Sequence, residues 1–307
     1  MKIVKLVMLC GIPGSGKSTY AEQLNRLSHN SYMILSSDKI REELLGSAED
    51  QSNNALIFKT MHERALMALD KGINVIYDAT NMTRKDRNYI LSILPKYVVT
   101  ECHIVWAPIK TCIERDAARS RSVGKDVIMR MVRKFQMPYY DEGFTNISVV
   151  RMNEVDLSYS SYSSYLNFIM ESMKIPHDNP HHTLSVYDHA IECQRIVIDN
   201  YGPQDIVLAA KLHDCGKPFV KTFTNRKGEV TDIAHYYDHQ NVGAWIACGL
   251  TTSIDVIWLI NMHMAPYLNE KYYKQLPSFL KTKVDILHDA DIHAHEKTSK
   301  DVFFDFF

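Results

Sequence analysis

The chain has 307 residues, of which 46% are hydrophobic and 23% charged. These fractions are typical of a folded globular protein and exclude a disordered chain. The length favours two domains, and no apolar run approaches the ~20 residues of a membrane span, so we expect no membrane partner. The six cysteines include no close Cys-x-x-Cys pair. Their spacing argues against a disulfide framework or a zinc ribbon and predicts reduced thiols in a cytoplasm.

Charge and histidine are unevenly distributed along the chain. Residues 1–150 hold 21 Lys and Arg against 16 Asp and Glu, a net charge of +5, whereas the remainder holds 14 against 20, a net charge of −6. The first half therefore tolerates polyanions better, but an imbalance of this size does not by itself indicate nucleic-acid binding. Of the 14 histidines, 11 lie at or after His177. A half rich in His and Asp is typical of a metal-dependent hydrolase.

Strands alternate with helices through the first half. The pattern predicts strands over residues 3–10, 32–35, 74–77, 97–106 and 147–151, and helices over residues 18–27, 40–45, 54–71, 84–93, 109–120 and 125–135. The apolar run 3–10 enters a glycine-rich loop directly, which favours a buried first strand over a signal peptide. This alternation predicts an α/β domain with a parallel sheet in three layers.

The pattern changes after a polar Ser/Tyr stretch at residues 156–165. We predict a linker there, over 156–174, although part of the stretch also suits the start of a helix. Helical spacing then recurs with no convincing strand between, over residues 184–200, 204–214, 239–250, 252–263 and 279–295. The prediction is an α/β domain over 1–155 followed by an all-α domain over 175–307.

The first chemical motif follows the first predicted strand and opens a helix. Its sequence, Gly-Ile-Pro-Gly-Ser-Gly-Lys-Ser over residues 11–18, fits the P-loop pattern, and its context is the one that the pattern requires. A plain glycine-rich turn is the alternative. Backbone N–H groups and the helix N-terminus would hold the phosphates of ATP. The predicted nucleotide and Mg²⁺ contacts are Gly14, Ser15, Gly16, Lys17 on the β/γ phosphates, Ser18 on Mg²⁺, and Thr19.

Two carboxylates follow the next strands at the carboxyl edge of the sheet. Asp38, after the second strand, is placed to accept a proton from an acceptor hydroxyl, and Arg41 one turn later to hold an acceptor phosphate. A helix N-cap is the alternative role of Asp38. Asp78 ends the third strand and is predicted to order the Mg²⁺ shell or the acceptor, with a plain turn residue as the alternative.

A basic segment follows the fourth strand. Residues 112–134 hold seven basic residues and three acidic ones, with Arg115 and Arg119 four apart on one predicted helix face and Arg121 just beyond. The segment suits a lid that neutralises charge during phosphoryl transfer. A solvated charged face explains the same run without any function.

The first ~150 residues resemble the polynucleotide 5′-hydroxyl kinases of bacteriophage end-repair enzymes. The matching pieces are GIPGSGKST, SSDKIR, the strand end DATN and the stretch CIERDAARSRSVGKDVIMRM. The resemblance implies that Asp38 is the general base for the 5′-OH and that Arg41 contacts the acceptor's 3′-phosphate. It also implies that Arg115 and Arg119 are lid arginines on the donor phosphates. Related small-molecule kinases share parts of this pattern, so the donor is better specified than the acceptor.

The second half contains an adjacent pair, His213-Asp214, at the end of an apolar helical segment. Adjacent His and Asp can hold metal ions, with the carboxylate bridging two. Further candidate ligands lie in other predicted helices, namely His189, His239, His263 and Asp291. Each histidine alone is more often an ordinary core or surface residue, but six candidates in this order favour a metal site.

The order H…HD…H…H…D resembles the HD-domain metallophosphohydrolases over about residues 175–300. The resemblance implies that His189, His213, Asp214 and Asp291 hold one metal and that His239 and His263 complete a second site. Lys217 would bind substrate phosphate, with His182 and His235 as further contacts. Two assignments have alternatives within a turn: Asp289 for Asp291, and His235 for His239. The A-D-x-x-A-H context and the Gly-Ala pair after His239 favour the first choices.

Together these features predict a two-domain enzyme that heals nucleic-acid ends. The first domain would phosphorylate 5′-OH ends of RNA or DNA with ATP and Mg²⁺. The second would remove a 2′,3′-cyclic phosphate, 2′-phosphate or 3′-phosphate with one or two transition metals, open among Mn, Ni, Co, Fe and Zn. An RNA ligase is the expected partner, in the host cytoplasm if a phage encodes the chain. The alternatives are a small-molecule or nucleotide kinase fused to a nucleotide phosphohydrolase, and a non-catalytic regulatory module.

Overall fold

The computed structural model describes residues 3–152, 159–179, 183–200 and 202–294. The chain divides into two compact units between residues 154 and 155. Within the predicted linker 156–174, residues Tyr159–Ser172 form a helix, and residues 156–158 lie outside the described part. No helix among the described residues is long and apolar enough to cross a bilayer.

The first unit is built on a five-stranded parallel sheet, which confirms the predicted α/β fold. The strand order is β2-β3-β1-β4-β5, with β1 at the centre. All of β1 except Lys5 is buried, which explains its continuous apolar sequence. The strands are β1 Val4–Cys10, β2 Tyr32–Ser36, β3 Asn74–Asp78, β4 Val98–Trp106 and β5 Asn146–Arg151.

Helices connect these strands and form the other layers. One core cluster joins Val7 and Leu9 of the central strand to Ala21 of the first helix, so this helix packs against the sheet. A capping box at Thr83 and Asp86 fixes the start of another helix. The helices are α1 Lys17–Leu27, α2 Ser37–Leu45, α3 Asn54–Asp70, α4 Arg84–Ile93, α5 Ile109–Ala117 and α6 Lys125–Val132, with a 3₁₀ turn at Tyr140–Glu142.

The second unit is helical, as predicted, around a core that includes the fully buried Trp245 and Trp258. Its helices are α7 Tyr159–Ser172, α8 Val186–Asp199, α9 Gln204–Leu212, α10 Lys217–Val220, α11 His239–Ala247, α12 Ile254–Met262, α13 Lys271–Lys274 and α14 Ser278–His293.

A two-stranded antiparallel hairpin interrupts these helices. It consists of β6 Thr222–Thr224 and β7 Val230–His235. The prediction of a purely helical domain missed this hairpin. Its strands are short and mostly exposed, so they lack the apolar alternation that marks a half-buried strand.

Candidate nucleotide and metal sites

The P-loop follows β1 at the centre of the parallel sheet. Gly14 and Gly16 have φ angles of 79° and 99°, which side-chain-bearing residues rarely adopt. At Gly14 a Cβ atom would also lie 2.2 Å from the carbonyl oxygen of Cys112 in α5. Only glycine therefore fits the backbone conformation of the loop at these two positions and the close approach to α5 at Gly14.

The side chains after the loop face the end of β3. The Ser18 hydroxyl donates a hydrogen bond of 3.1 Å to Asp78 Oδ2, and Lys17 Nζ donates one of 3.0 Å to the Ile12 carbonyl. Burial raises the pKa of Asp78, against the opposing effects of Lys17 and Ser18, and burial lowers the pKa of Lys17. A hydroxyl beside a carboxylate is an all-oxygen donor set of the kind that Mg²⁺ prefers.

Asp38 and Arg41 lie on the first turns of α2. Ser36 occupies the N-cap position, so Asp38 is not the cap. Arg41 is 5% exposed and donates hydrogen bonds to Asp38 Oδ1 at 2.8 Å and to Asn54 Oδ1 at 3.1 Å. The side chain of Asp38 is 60% exposed, so the carboxylate can be reached from solvent while Arg41 holds one of its oxygens. Asn54 has no motif that marks it in the sequence.

One cavity of about 590 Å³ unites most of these groups. The predicted residues that line it are Gly14, Gly16, Lys17, Ser18, Thr19, Asp38, Arg41, Asp78 and Arg119. Ser15 is fully buried within the loop, and neither Ser15 nor Arg115 lines the cavity. The P-loop, an exposed carboxylate and three arginines, Arg41, Arg119 and Arg121, therefore share one space.

The prediction that Arg115 and Arg119 lie on one helix face is wrong. Helix α5 ends at Ala117, so Arg119 lies on the following turn rather than one helical turn after Arg115. Arg115 instead donates a hydrogen bond of 2.9 Å to the Met152 carbonyl. Arg121 lines the cavity in place of Arg115, with its Nη1 atom 3.7 Å from Asp38 Oδ2.

Asp116 explains why the helix stops early. Its Oδ2 atom accepts hydrogen bonds from the Ser122 hydroxyl at 2.7 Å and from the N–H groups of Val123 and Gly124 at 3.0 Å. Burial opposes ionisation, but these bonds outweigh it and hold the pKa of Asp116 below its usual value. The carboxylate folds the chain into the turn that carries Arg119 and Arg121.

In the second unit, five helices bring the six predicted ligands together. His213 and Asp214 follow α9, His189 lies on α8, His239 begins α11, His263 follows α12 and Asp291 lies on α14. All six are buried. They form two groups, each with ligand atoms within 4.8 Å of one another: His189, His213 and Asp291, and Asp214, His239 and His263.

Asp214 lies between the two groups. Its Oδ2 atom is 3.3 Å from His213 Nε2 and 3.6 Å from His189 Nε2. Its Oδ1 atom is 3.3 Å from His239 Nε2 and 3.9 Å from His263 Nε2. One oxygen therefore faces each group, which is the arrangement of a bridging carboxylate.

Backbone carbonyls orient all four histidine rings. The Nδ1 atoms of His189, His213, His239 and His263 lie 2.7–2.9 Å from the carbonyl oxygens of Ala294, Ala210, Tyr236 and Ile260. A carbonyl only accepts, so each Nδ1 carries the proton and each Nε2 points into the site. Histidines that ligate metals usually donate their other ring N–H to such an acceptor.

The geometry fits bound cations. His239 Nε2 and His263 Nε2 lie 3.0 Å apart, and with both Nδ1 atoms protonated the two neutral rings would oppose lone pairs. His213 Nε2 is buried and has no hydrogen-bond partner of good geometry among the described residues. A metal ion resolves both arrangements, because it accepts several lone pairs at once.

The negative charges of Asp214 and Asp291 beside His213 also favour a bound positive ion. Burial disfavours its charged form, but Asp214 and Asp291 outweigh burial and raise the pKa of His213 to about 10. Burial, reinforced by the neighbouring histidines His239 and His213, lowers the pKa of His263 to about 3. Histidine-rich ligation of this type suits transition metals better than Mg²⁺.

Two glycines allow the ligand helices to approach. A Cβ atom at Gly216 would lie 2.1 Å from the His239 carbonyl and 2.6 Å from the Gly243 nitrogen. The turn after Asp214 therefore contacts the backbone of α11 directly. This contact places His239 beside Asp214.

Lys217 and His177 lie next to the ligands. Lys217 is 7% exposed, and its Nζ atom is 2.7 Å from Asp214 Oδ2 and 3.2 Å from His177 Nε2. It lines a cavity of about 570 Å³ together with Asp214, His239, His263 and Asp291. His177 is buried and was missed, because it lies in a segment with no recognisable motif.

The alternative ligands lie elsewhere. His235 is 3.1 Å from the Thr231 hydroxyl and stacks on Tyr237, and Asp289 is exposed beside His293. His182 is outside the described residues. The arrangement therefore uses His239 and Asp291 rather than their neighbours.

Two family models match the chain. An AAA domain model matches residues 6–138, and an HD domain model matches residues 181–297.

Among curated proteins, the chain is 28% identical over 178 residues to the L-seryl-tRNA(Sec) kinase of Methanococcus maripaludis, covering 54% of this chain and 65% of that protein. It is 26% identical over 149 residues to the transcription factor bHLH140 of Arabidopsis thaliana, covering 46% of this chain and 15% of that protein. The chain thus spans less than two thirds of either relative.

Among solved structures, a chain of the Pnkp1/Rnl/Hen1 RNA repair complex matches at 25% identity. The match covers 44% of this chain and 45% of that chain, with a TM-score of 0.40. A fungal RNA kinase matches at 16% identity, 55% and 43% coverage, and a TM-score of 0.38. These TM-scores are too low to establish a shared fold. The chain therefore combines an N-terminal P-loop domain that matches the AAA domain model with a C-terminal helical domain that matches the HD domain model.

Proposed function

We propose that the chain heals both ends of a broken nucleic acid. The P-loop domain phosphorylates a 5′-OH end with ATP, and the HD domain removes a 2′,3′-cyclic phosphate, 2′-phosphate or 3′-phosphate from the other end. The observation that carries the proposal is the pairing in one chain of two sites: an exposed Asp38 held beside Arg41 in the P-loop cavity, and a six-residue His/Asp centre.

In the kinase step, Asp38 accepts the proton of the 5′-OH as its oxygen attacks the γ-phosphorus of ATP. The bond from the γ-phosphorus to the β–γ bridging oxygen breaks, and ADP leaves with the electron pair. Lys17 and the loop N–H groups hold the donor phosphates, and Ser18 and Asp78 would hold Mg²⁺, which neutralises phosphate charge when bound. Arg41, fixed by Asn54, binds the acceptor's next phosphate.

In the second step, water cleaves a phosphoester bond at the HD centre. His189, His213 and Asp291 would hold one ion, and His239 and His263 a second, with Asp214 shared. Bound divalent ions would supply Lewis-acid activation of water and of the phosphate. Lys217, beside Asp214, places an ammonium where it can bind a phosphate oxygen.

RNA is the proposed context, since breaks that leave 2′,3′-cyclic phosphate and 5′-OH ends arise in RNA. The products, a 5′-phosphate and a 3′-OH, are the ends that a ligase joins. We therefore propose an RNA ligase as a partner that acts afterwards.

The direct test is end analysis of an RNA with a 5′-OH and a 2′,3′-cyclic phosphate after incubation with ATP, Mg²⁺ and Mn²⁺. We expect a labelled 5′-phosphate and a free 3′-OH. Absence of phosphate transfer to the oligonucleotide would contradict the kinase assignment, and an intact cyclic phosphate would contradict the HD assignment.

Seryl-tRNA is a second class of acceptor to test in parallel, because one relative is named for that substrate. That name points to a hydroxyl on an aminoacyl group rather than on a polynucleotide end. Labelled ATP offered with a 5′-OH oligonucleotide, free nucleosides and seryl-tRNA separates these acceptors. Preferential transfer to a nucleoside or to seryl-tRNA would replace the polynucleotide assignment.

A further inference from the structure

The hairpin β6–β7 brings a cation to the HD cavity. Arg226 lies in the turn between the two strands and lines the cavity that also contains Asp214 and Lys217. Its neighbour Lys227 belongs to the same turn but does not line the cavity. Arg226 is exposed, so a ligand that enters the cavity can reach it.

An aromatic stack holds the guanidinium of Arg226. Its central carbon is 4.8 Å from the centre of the Tyr237 ring. Tyr237 in turn stacks on His235, with ring centres 5.3 Å apart and planes 9° apart. Among the described residues, Arg226 has no carboxylate partner. A guanidinium that is stacked but not neutralised keeps its N–H groups for an anion.

The two cations of the cavity rest on consecutive tyrosines. Lys217 Nζ is 5.5 Å from the centre of the Tyr236 ring, and Arg226 occupies the equivalent place on Tyr237. Lys217 is buried against Asp214, at the ligand cluster, whereas Arg226 is at the exposed wall. The cavity therefore offers one cation beside the metal ligands and a second, unneutralised one farther out.

We propose that Arg226 binds the internucleotide phosphate next to the terminal nucleotide and so makes the HD site selective for polynucleotide ends over mononucleotides. The inference rests on the proposed phosphohydrolase function and specifies its substrate. The terminal phosphate occupies the cluster and Lys217, and the adjacent phosphodiester binds Arg226 on its tyrosine. A planar guanidinium donates two parallel hydrogen bonds to a phosphate, which an ammonium cannot reproduce.

The test compares three substrates with the metal-loaded full chain: an RNA ending in 2′,3′-cyclic phosphate, the same RNA with a neutral methylphosphonate at the last linkage, and a cyclic mononucleotide. For the wild type, neutralising the linkage should lower kcat/KM about tenfold, the effect of one exposed charge-assisted contact. Arg226→Ala should show that loss on normal RNA, no further loss on methylphosphonate RNA, and wild-type rates on the mononucleotide.

Matched variants on the same turn complete the design. Lys227→Ala removes an equal charge outside the cavity and should behave as wild type. Arg226→Lys should recover only part of the preference for the charged linkage. An equal loss on all three substrates, or no loss in Arg226→Ala, would overturn the inference while leaving the phosphohydrolase in place. No hydrolysis of any substrate by the wild type would overturn the proposed function and the inference with it.

Discussion

At the scale of single residues, Asp116 determines where α5 stops and which arginines reach the nucleotide cavity. One oxygen accepts three hydrogen bonds from the following turn. Without these hydrogen bonds the turn would not keep its conformation, and Arg119 and Arg121 would lose their positions. The ionised carboxylate makes these bonds stronger than neutral ones.

Asp116→Ala should lower the free energy of unfolding by about 1 kcal/mol at pH 7, since it leaves the partly buried N–H groups of Val123 and Gly124 without their acceptor. The pKa of Asp116 is depressed in the folded state, so its contribution is present above the unfolded pKa and is lost as the pH falls through the folded pKa. Denaturant unfolding between pH 7 and pH 3 measures this. The gap between variant and wild type should narrow at the acid end, and a gap that widened would contradict the assignment.

Single residues also show which positions a local sequence pattern can mark. Lys17, Ser18 and Asp78 are marked by the P-loop motif and by a strand end, which are both local in the chain, and the structure brings the three together at one cavity. Arg115 was misplaced because the end of α5 depends on hydrogen bonds that Asp116 accepts from residues six to eight positions later. His177 and Asn54 carry no local signal, since only tertiary packing brings them to Lys217 and Arg41.

At the scale of elements, the contact between the turn at Gly216 and helix α11 connects the two ligand groups. Residues 213 and 214 arrive from α9 and His239 arrives from α11, so their spacing depends on how closely these backbones approach. The sequence pattern indicates the ligand types but not this distance.

Gly216→Ala should separate α11 from the turn, because the added Cβ would meet backbone atoms at 2.1 and 2.6 Å. We expect weaker binding in the group of Asp214, His239 and His263, and a stability loss of about 1–3 kcal/mol from overpacking. Metal content by mass spectrometry should fall relative to wild type.

Cys215→Ala is the matched control, since it removes the thiol that donates to the Gly243 carbonyl of α11 but adds no atom to the contact. Its metal content should equal that of the wild type. A Gly216→Ala protein with full metal content and normal phosphohydrolase activity would show that the close approach is dispensable.

At the scale of the whole molecule, the two sites use different donor sets. The nucleotide site offers oxygen atoms from Ser18 and Asp78, whereas the HD centre offers four imidazole nitrogens and two carboxylates. After removal of metals by a chelator, Mg²⁺ alone should restore phosphoryl transfer. Phosphohydrolase activity should return only with an ion such as Mn²⁺, Ni²⁺ or Co²⁺. Full recovery of both activities with Mg²⁺ alone would contradict the transition-metal assignment.

The division into two compact units also predicts independent active sites. Asp38→Ala should abolish 5′ phosphorylation and leave phosphohydrolase activity unchanged, because it removes the proposed base and touches no metal ligand. Asp214→Ala should do the reverse. Both activities are measured on one preparation of each variant, and loss of both in either variant would contradict separate sites.

The histidine rings have a consequence beyond ligand orientation. The carbonyls of Ala210 and Ile260 lie in the last turns of α9 and α12, where carbonyl groups lack intrahelical partners. His213 and His263 supply the missing donors, so each ring finishes the helix that carries it as well as facing the site. The order of each helix end and the orientation of its ligand ring therefore depend on the same hydrogen bond. The same coupling means that replacing either histidine by alanine frays a helix end, so the resulting loss of activity measures more than a lost ligand.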